Sequence, residues 1–259
     1  MNKLFQVLNI VGFVGMVGAN YLAVALPLNG QTPGEISDRY PTLFTPAGFT
    51  FSIWSVIYLL LLVFSVRQAK NLLKADIPAP AFVGAIGPWF FVGSVANATW
   101  LFAWHHEQFL LALAIMLALL ATLVQIYVRL GIGRASASKL DRFSFHLPFS
   151  VYLGWITVAT IANVSVLLVS TDWSGWGIAP GTWAILMMAA GTFIGLNVIR
   201  TRRDTAFGLV LAWAFFGIWS ARRMDAAEVA PVSVAALAAM IVMLFAAVFS
   251  SWKKWKAQH

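Results

Sequence analysis

Phe51, Trp54 and Tyr58 stand at i, i+3 and i+7 just beyond a polar, proline-containing stretch, so a helix there carries all three on one face. The device recurs twice. Asn97, Trp100 and Trp104 share the spacing, and Tyr152, Trp155, Ala159 and Asn163 extend it by a further turn. Such stripes offer ring faces and a few amides, which is the chemistry of recognition rather than of bond breaking. A flat apolar ligand would stack on the rings while Asn97 and Asn163 orient its polar groups. The competing reading makes all three stripes ordinary packing faces, with each Asn hydrogen-bonded to a neighbouring helix. The residues alone leave both readings open.

The chemistry that is missing narrows the function. No Asp, Glu, Lys or Arg falls clearly inside an apolar run, which argues against a proton-driven pump or a charged-ring channel. The polar residues expected to be buried in the runs are neutral: Asn20, Asn97, Gln125, Asn163 and Asn197. Of four His, His105 and His106 fall in a turn, His146 at a helix start and His259 at the terminus. None sits where a core haem would need an axial ligand, and a solvated turn is preferred to a metal site at His105 and His106. Cys is absent, so disulfides and thiolate ligands are excluded. No acid, base and nucleophile converge; no catalytic residue is assigned, no metal is expected and no cofactor is required.

These stripes must be positioned by membrane helices. The 259 residues are 61% hydrophobic and only 10% charged, with a mean hydropathy of +0.83, whereas a soluble domain is roughly 25% charged. Apolar runs near 5–28, 47–66, 81–104, 108–128, 147–170, 182–199, 205–221 and 231–252 suit membrane spans. The expected fold is therefore all-α, a polytopic membrane helix bundle of about eight transmembrane helices. With the N-terminus inside, the inner segments hold 14 of the 17 basic residues and the outer ones only Arg39, Arg222 and Arg223. That bias places both termini in the cytoplasm. The net charge of +8 then belongs to helix ends at a lipid bilayer, and nucleic acid is not an expected partner.

Several local features follow. The first run is read as a retained helix rather than a signal peptide, although Ala23-Val24-Ala25 resembles a cleavage site. Its Gly12, Gly15 and Gly18 open a smooth side for a neighbouring helix. Gly191 and Gly195 form a GxxxG pair, read first as packing within the bundle and second as the contact of a homodimer. Gly84, Gly87 and Pro88 predict a bend in the third run. The loop 29–46 carries Pro and Gly that prevent a continuous helix, and Tyr40, Leu43, Phe44 and Pro46 make it a candidate lid over the bundle. Trp54, Trp100, Trp104, Trp173, Trp176, Trp183 and Trp219 are placed toward the outer half, where an interfacial belt explains some of them and Trp54 and Trp100 less well.

The order of three motifs resembles the TspO/MBR family of tryptophan-rich sensory proteins. Pro46 followed by Phe51-Ser-Ile-Trp54-Ser-Val-Ile-Tyr58 is similar to the family's second helix, Asn97-Ala-Thr-Trp100 to its third, and Tyr152-Leu-Gly-Trp155-Ile-Thr-Val-Ala159-Thr-Ile-Ala-Asn163 to its fifth. Val151 departs from the family, which has Pro there. A cholesterol-type pattern, Val124-x-x-Tyr127-x-Arg129, lies on a different helix from the family's own and carries little weight.

The resemblance implies a TspO-like five-helix core over 1–170 and an additional three-helix extension with a basic cytoplasmic tail over 171–259. It further implies a small hydrophobic ligand, a porphyrin, haem or sterol, held beneath the first loop in sensing or transport. Phe51, Trp54, Tyr58, Asn97, Trp100, Trp104, Tyr152, Trp155, Ala159 and Asn163 would line that site. Tetrapyrrole degradation is implied by the family alone. A small-solute transporter and a membrane subunit of a larger complex are the alternatives. Helical spans and charge bias make a bacterial inner membrane the expected location.

Overall fold

The computed structural model describes residues 2–26, 28–74 and 76–256. Among them there are helices and turns and no strand. In chain order the helices are α1 (Asn2–Ala25), α2 (Pro33–Arg39), α3 (Ile53–Gln68), α4 (Ala81–Ile86), α5 (Trp89–His105), α6 (Phe109–Arg129), a single turn α7 (Lys139–Asp141), α8 (Leu147–Ser170), α9 (Pro180–Arg202), α10 (Thr205–Arg222) and α11 (Ala230–Lys256). Seven helical stretches among the described residues are long and apolar enough to cross a membrane. The third expected run is instead divided between α4 and α5. Gly87 takes φ 58 and ψ −137, outside the reach of residues with a Cβ, and Pro88 then starts α5. The predicted bend is thus a break.

Two helix starts show how sequence sets the ends. Pro180 opens α9 at a position where no intrahelical N–H is needed. Asp204 caps α10, its Oδ1 accepting from the N–H of Ala206 at 3.1 Å and of Phe207 at 3.2 Å. Within the loop 29–46, expected to hold no continuous helix, the short helix α2 forms. Thr32 and Glu35 form a reciprocal capping box: Glu35 Oε2 accepts from Thr32 N–H at 2.7 Å, and Thr32 Oγ1 accepts from Glu35 N–H at 3.3 Å. The Glu35 carboxyl is held below the usual carboxylate range by the bond from the Thr32 backbone N–H first and by one from the Thr32 hydroxyl to Oε2 at 3.0 Å second.

By packing, the chain divides into two compact units. The first comprises Met1–Ile36 with Trp54–Leu153, the second Ser37–Ile53 with Gly154–His259. In the first unit α1 packs on α4 and α5, and α6 on α4 and α5. Lipid offers no hydrophobic drive between spans, so close backbone approach and polar ties hold them. Gly12 supplies one approach: a Cβ there would lie 3.1 Å from the Phe91 ring and 3.2 Å from Ser94. Gly15 and Gly18, expected to do the same, face no neighbour within 4 Å. The polar tie is Gln6, Asn9 and Gln68, all fully buried. Gln6 Nε2 donates to the carbonyls of Gln68 and Lys70, Gln68 Nε2 to Gln6 O at 3.0 Å, and Asn9 Nδ2 to Gln68 Oε1 at 3.2 Å. Gln125 and Asn197, expected inside, are exposed on their helices. Phe64 centres the ring packing, 5.0 Å from both Phe90 and Phe149.

In the second unit α9, α10 and α11 pack on one another. A Cβ on Gly195 would lie 2.5 Å from Met243 Cε and 2.8 Å from Leu211, and one on Gly191 would lie 3.4 Å from Phe215. The GxxxG pair therefore packs within this unit. The turn Gly48–Ser52 is fixed to α10: Ala47 N–H donates to Gly217 O at 3.0 Å, and Trp213 Nε1 donates to Thr50 O at 2.9 Å. Gly217 permits that seat, because a Cβ there would overlap Thr50.

Candidate functional site

The expected site residues fall into both units, and each group has its own character. In the first unit Trp54 stacks on Tyr58 (5.5 Å, 21°) and meets Tyr152 edge-on at 6.0 Å. Asn97 is buried. Its Nδ2 donates to Tyr152 Oη at 2.9 Å and its Oδ1 accepts from Asn20 Nδ2 at 2.7 Å. Asn20 Nδ2 also donates to Met16 O at 2.9 Å. One amide thus joins α1, α5 and α8, and both of its ends are occupied by protein groups. Trp100 stacks on Trp104 at 5.1 Å, and Trp104 Nε1 donates to Pro33 O at 3.1 Å, tying α5 to the start of α2. Tyr58 Oη is buried with no hydrogen-bond partner among the described residues.

His105 corrects the picture of a solvated turn. It is 1% exposed, its Nδ1 lies 2.6 Å from Leu101 O, and Nε2 is buried with no partner among the described residues. An i−4 carbonyl at that distance fixes the proton on Nδ1. His106 next to it is exposed. No group of three or more His, Asp or Glu among the described residues is placed to hold a metal. The cholesterol-type pattern is divided: Tyr127 is buried, Val124 is exposed, and the Arg129 guanidinium lies 5.7 Å from the Trp89 ring.

In the second unit Phe51 meets the buried Trp155 edge-on at 5.8 Å. Asn163 is buried on the same helix, its Nδ2 donating to Ala159 O at 3.0 Å. Further along α8 a cavity of ≈ 260 Å³ opens. Its walls are Pro41–Phe44 of the loop, Ser165, Leu168 and Val169 of α8, the turn residues Trp173–Gly175 and Ile178, and Pro180, Trp183, Ala184 and Met187 at the start of α9. Of the expected lid, Leu43 and Phe44 line this cavity; Tyr40 and Pro46 do not. None of the residues on the three stripes lines it. Ser165 Oγ donates to Ile161 O or Met187 Sδ, each at 3.1 Å. Thr45 N–H donates to Thr42 O at 3.2 Å, and the two hydroxyls lie 2.8 Å apart, closing the loop on itself.

Trp173 and Trp183 are among the wall residues that helix periodicity does not single out. Their signal was the density of Trp, Gly and Pro over 173–183, which an interfacial belt explains equally well.

No curated protein and no solved structure matches the chain. The family model described as TSPO-like protein matches residues 6–249, running from α1 through most of α11. The three C-terminal helices lie within that match. With its membrane-spanning helices and a match over most of its length, the chain is a multi-pass integral membrane protein and belongs to the TSPO-like family.

Proposed function

We propose that this protein binds a flat, largely apolar ligand in the cavity beneath residues 41–44, and senses or transports it. The observation that carries the reading is the wall itself: the rings of Phe44, Trp173 and Trp183, aliphatic side chains, a few hydroxyls, and no charged residue. Such a wall favours a planar apolar body and leaves a bare ion or phosphate without countercharge. Size sharpens the reading. At ≈ 260 Å³ the cavity falls just short of the roughly 300–1,000 Å³ of pockets for drug-sized ligands. One or two fused rings fit as it stands. A tetrapyrrole or sterol, the ligands implied by the family resemblance, enters only if the loop lifts, which makes residues 41–44 the gate. The orientation with both termini cytoplasmic, in a bacterial inner membrane, rests on the 14-to-3 division of basic residues.

The test is a titration of the full chain in nanodiscs with 2-naphthol and, separately, protoporphyrin, with empty nanodiscs subtracted. The expected outcome is saturable binding of both, fast for 2-naphthol and slow for protoporphyrin. Absence of saturable binding for either ligand contradicts the proposal.

A further inference from the structure

We infer that Trp173, Trp176 and Trp183, beside this cavity, recognise a quaternary ammonium or similar organic cation carried by the apolar ligand. The inference rests on the cavity reading above and adds a charge to the ligand. The three rings contact one another: Trp173 and Trp176 at 5.3 Å and 79°, Trp173 and Trp183 at 5.1 Å and 54°, Trp176 and Trp183 at 6.0 Å and 64°. These angles make a tilted tripod rather than a flat stack. The exposed Trp176 ring is accessible to a cation within the ≈ 6 Å reach of a cation–π contact, with the Trp173 and Trp183 rings beside it. Trp173 and Trp183 also line the cavity, so head and body of one ligand would share them.

Trp176 is the unusual member. It is 77% exposed, so packing does not explain it. Its backbone is left-handed, φ 52 and ψ 31, between Gly175 at φ 67 and Gly177 at φ 75. A bulky side chain is disfavoured there, where Gly or Asn would sit relaxed. Interfacial anchoring accounts for an exposed Trp but does not need that backbone. The turn also fixes its neighbour, since Trp183 Nε1 donates to Gly175 O at 3.0 Å. The charge complement is Asp172, exposed and next in the chain to Trp173, and the sole charged residue of the stretch 171–179.

The experiment compares benzyltrimethylammonium with its neutral isostere neopentylbenzene by calorimetry on the full chain. Nanodiscs of phosphatidylglycerol are used because they carry no quaternary ammonium, with empty discs subtracted. The cation is expected to bind about five-fold or more tightly than the isostere. Trp176→Leu should abolish that preference, and Trp176→Phe should keep it. A neutral isostere that binds the native chain as tightly or more tightly overturns the cation inference and leaves the cavity reading standing. A cation preference unchanged in Trp176→Leu overturns the assignment to the triad. If neither probe binds, the cavity reading falls as well.

Discussion

The two units use the same residue types for opposite ends. In the first, the rings of Trp54, Tyr58 and Tyr152 pack on one another, and the Asn97 amide bonds both Asn20 and Tyr152. In the second, rings and hydroxyls stand around an opening of ≈ 260 Å³. The Asn97 amide already ties Asn20 to Tyr152, which leaves a ligand only its second N–H and second lone pair; the face of a ring on a cavity wall carries no such tie. The family motifs of the first unit are therefore read as the frame, and the less periodic wall of the second as the receptor.

Four substitutions separate frame from receptor. Gly217→Ala has the largest expected effect, because its Cβ would overlap Thr50 beneath the turn Gly48–Ser52. Overpacking of this kind costs about 2–3 kcal/mol, so the melting temperature in detergent should fall sharply. Asn97→Leu comes next. It leaves Asn20 and Tyr152 each short of a partner, at about 1.5 kcal/mol given the modest worth of hydrogen bonds between spans. Its melting temperature should drop while 2-naphthol affinity stays native; a loss of affinity without a loss of stability would put Asn97 back among the ligand contacts. Leu43→Trp fills the cavity from the loop side. It should weaken 2-naphthol about ten-fold, or about 1.4 kcal/mol, with little change in melting.

The smallest effect concerns the capping box of α2. Glu35 has its carboxyl held below the usual range by Thr32. A depressed carboxyl contributes stability above its unfolded pKa and loses it as pH falls through the folded value. Acidification through that window should lower the amide protection factors across α2, and Glu35→Gln should show lowered protection already at neutral pH with no pH step. An α2 whose protection ignores both changes would mean the capping box does not hold it.

Much of the fold was legible because apolar run length and basic residues at run ends are strong signals. The runs near 108–128 and 231–252 became α6 and α11 with little change. Gly87 and Pro88 announced a bend, but how far the chain turns there depends on the φ of 58 at Gly87, which composition does not encode. The capping box was present as Thr32-Pro-Gly-Glu35 and was masked by reading Pro33 and Gly34 as breakers, when Pro is at home in a first helical turn. Burial of neutral polar residues was the least legible. Gln6 and Asn9 lie near the end of a run, where water is the default partner, yet they turn inward to meet Gln68. Gln125 lies near the end of another run and faces outward. Which face of an evenly apolar helix packs is decided by neighbours far away in sequence, so a period of 3.6 carries no answer.

The most direct test of the account is the 2-naphthol affinity of two variants measured side by side, Leu43→Trp and Trp54→Leu. If the receptor is the wall of the second unit, Leu43→Trp binds about ten-fold more weakly and Trp54→Leu binds as the native chain does. Native affinity in Leu43→Trp together with lost affinity in folded Trp54→Leu would contradict the account and return the ligand to the stripe of Trp54, Tyr58 and Asn97.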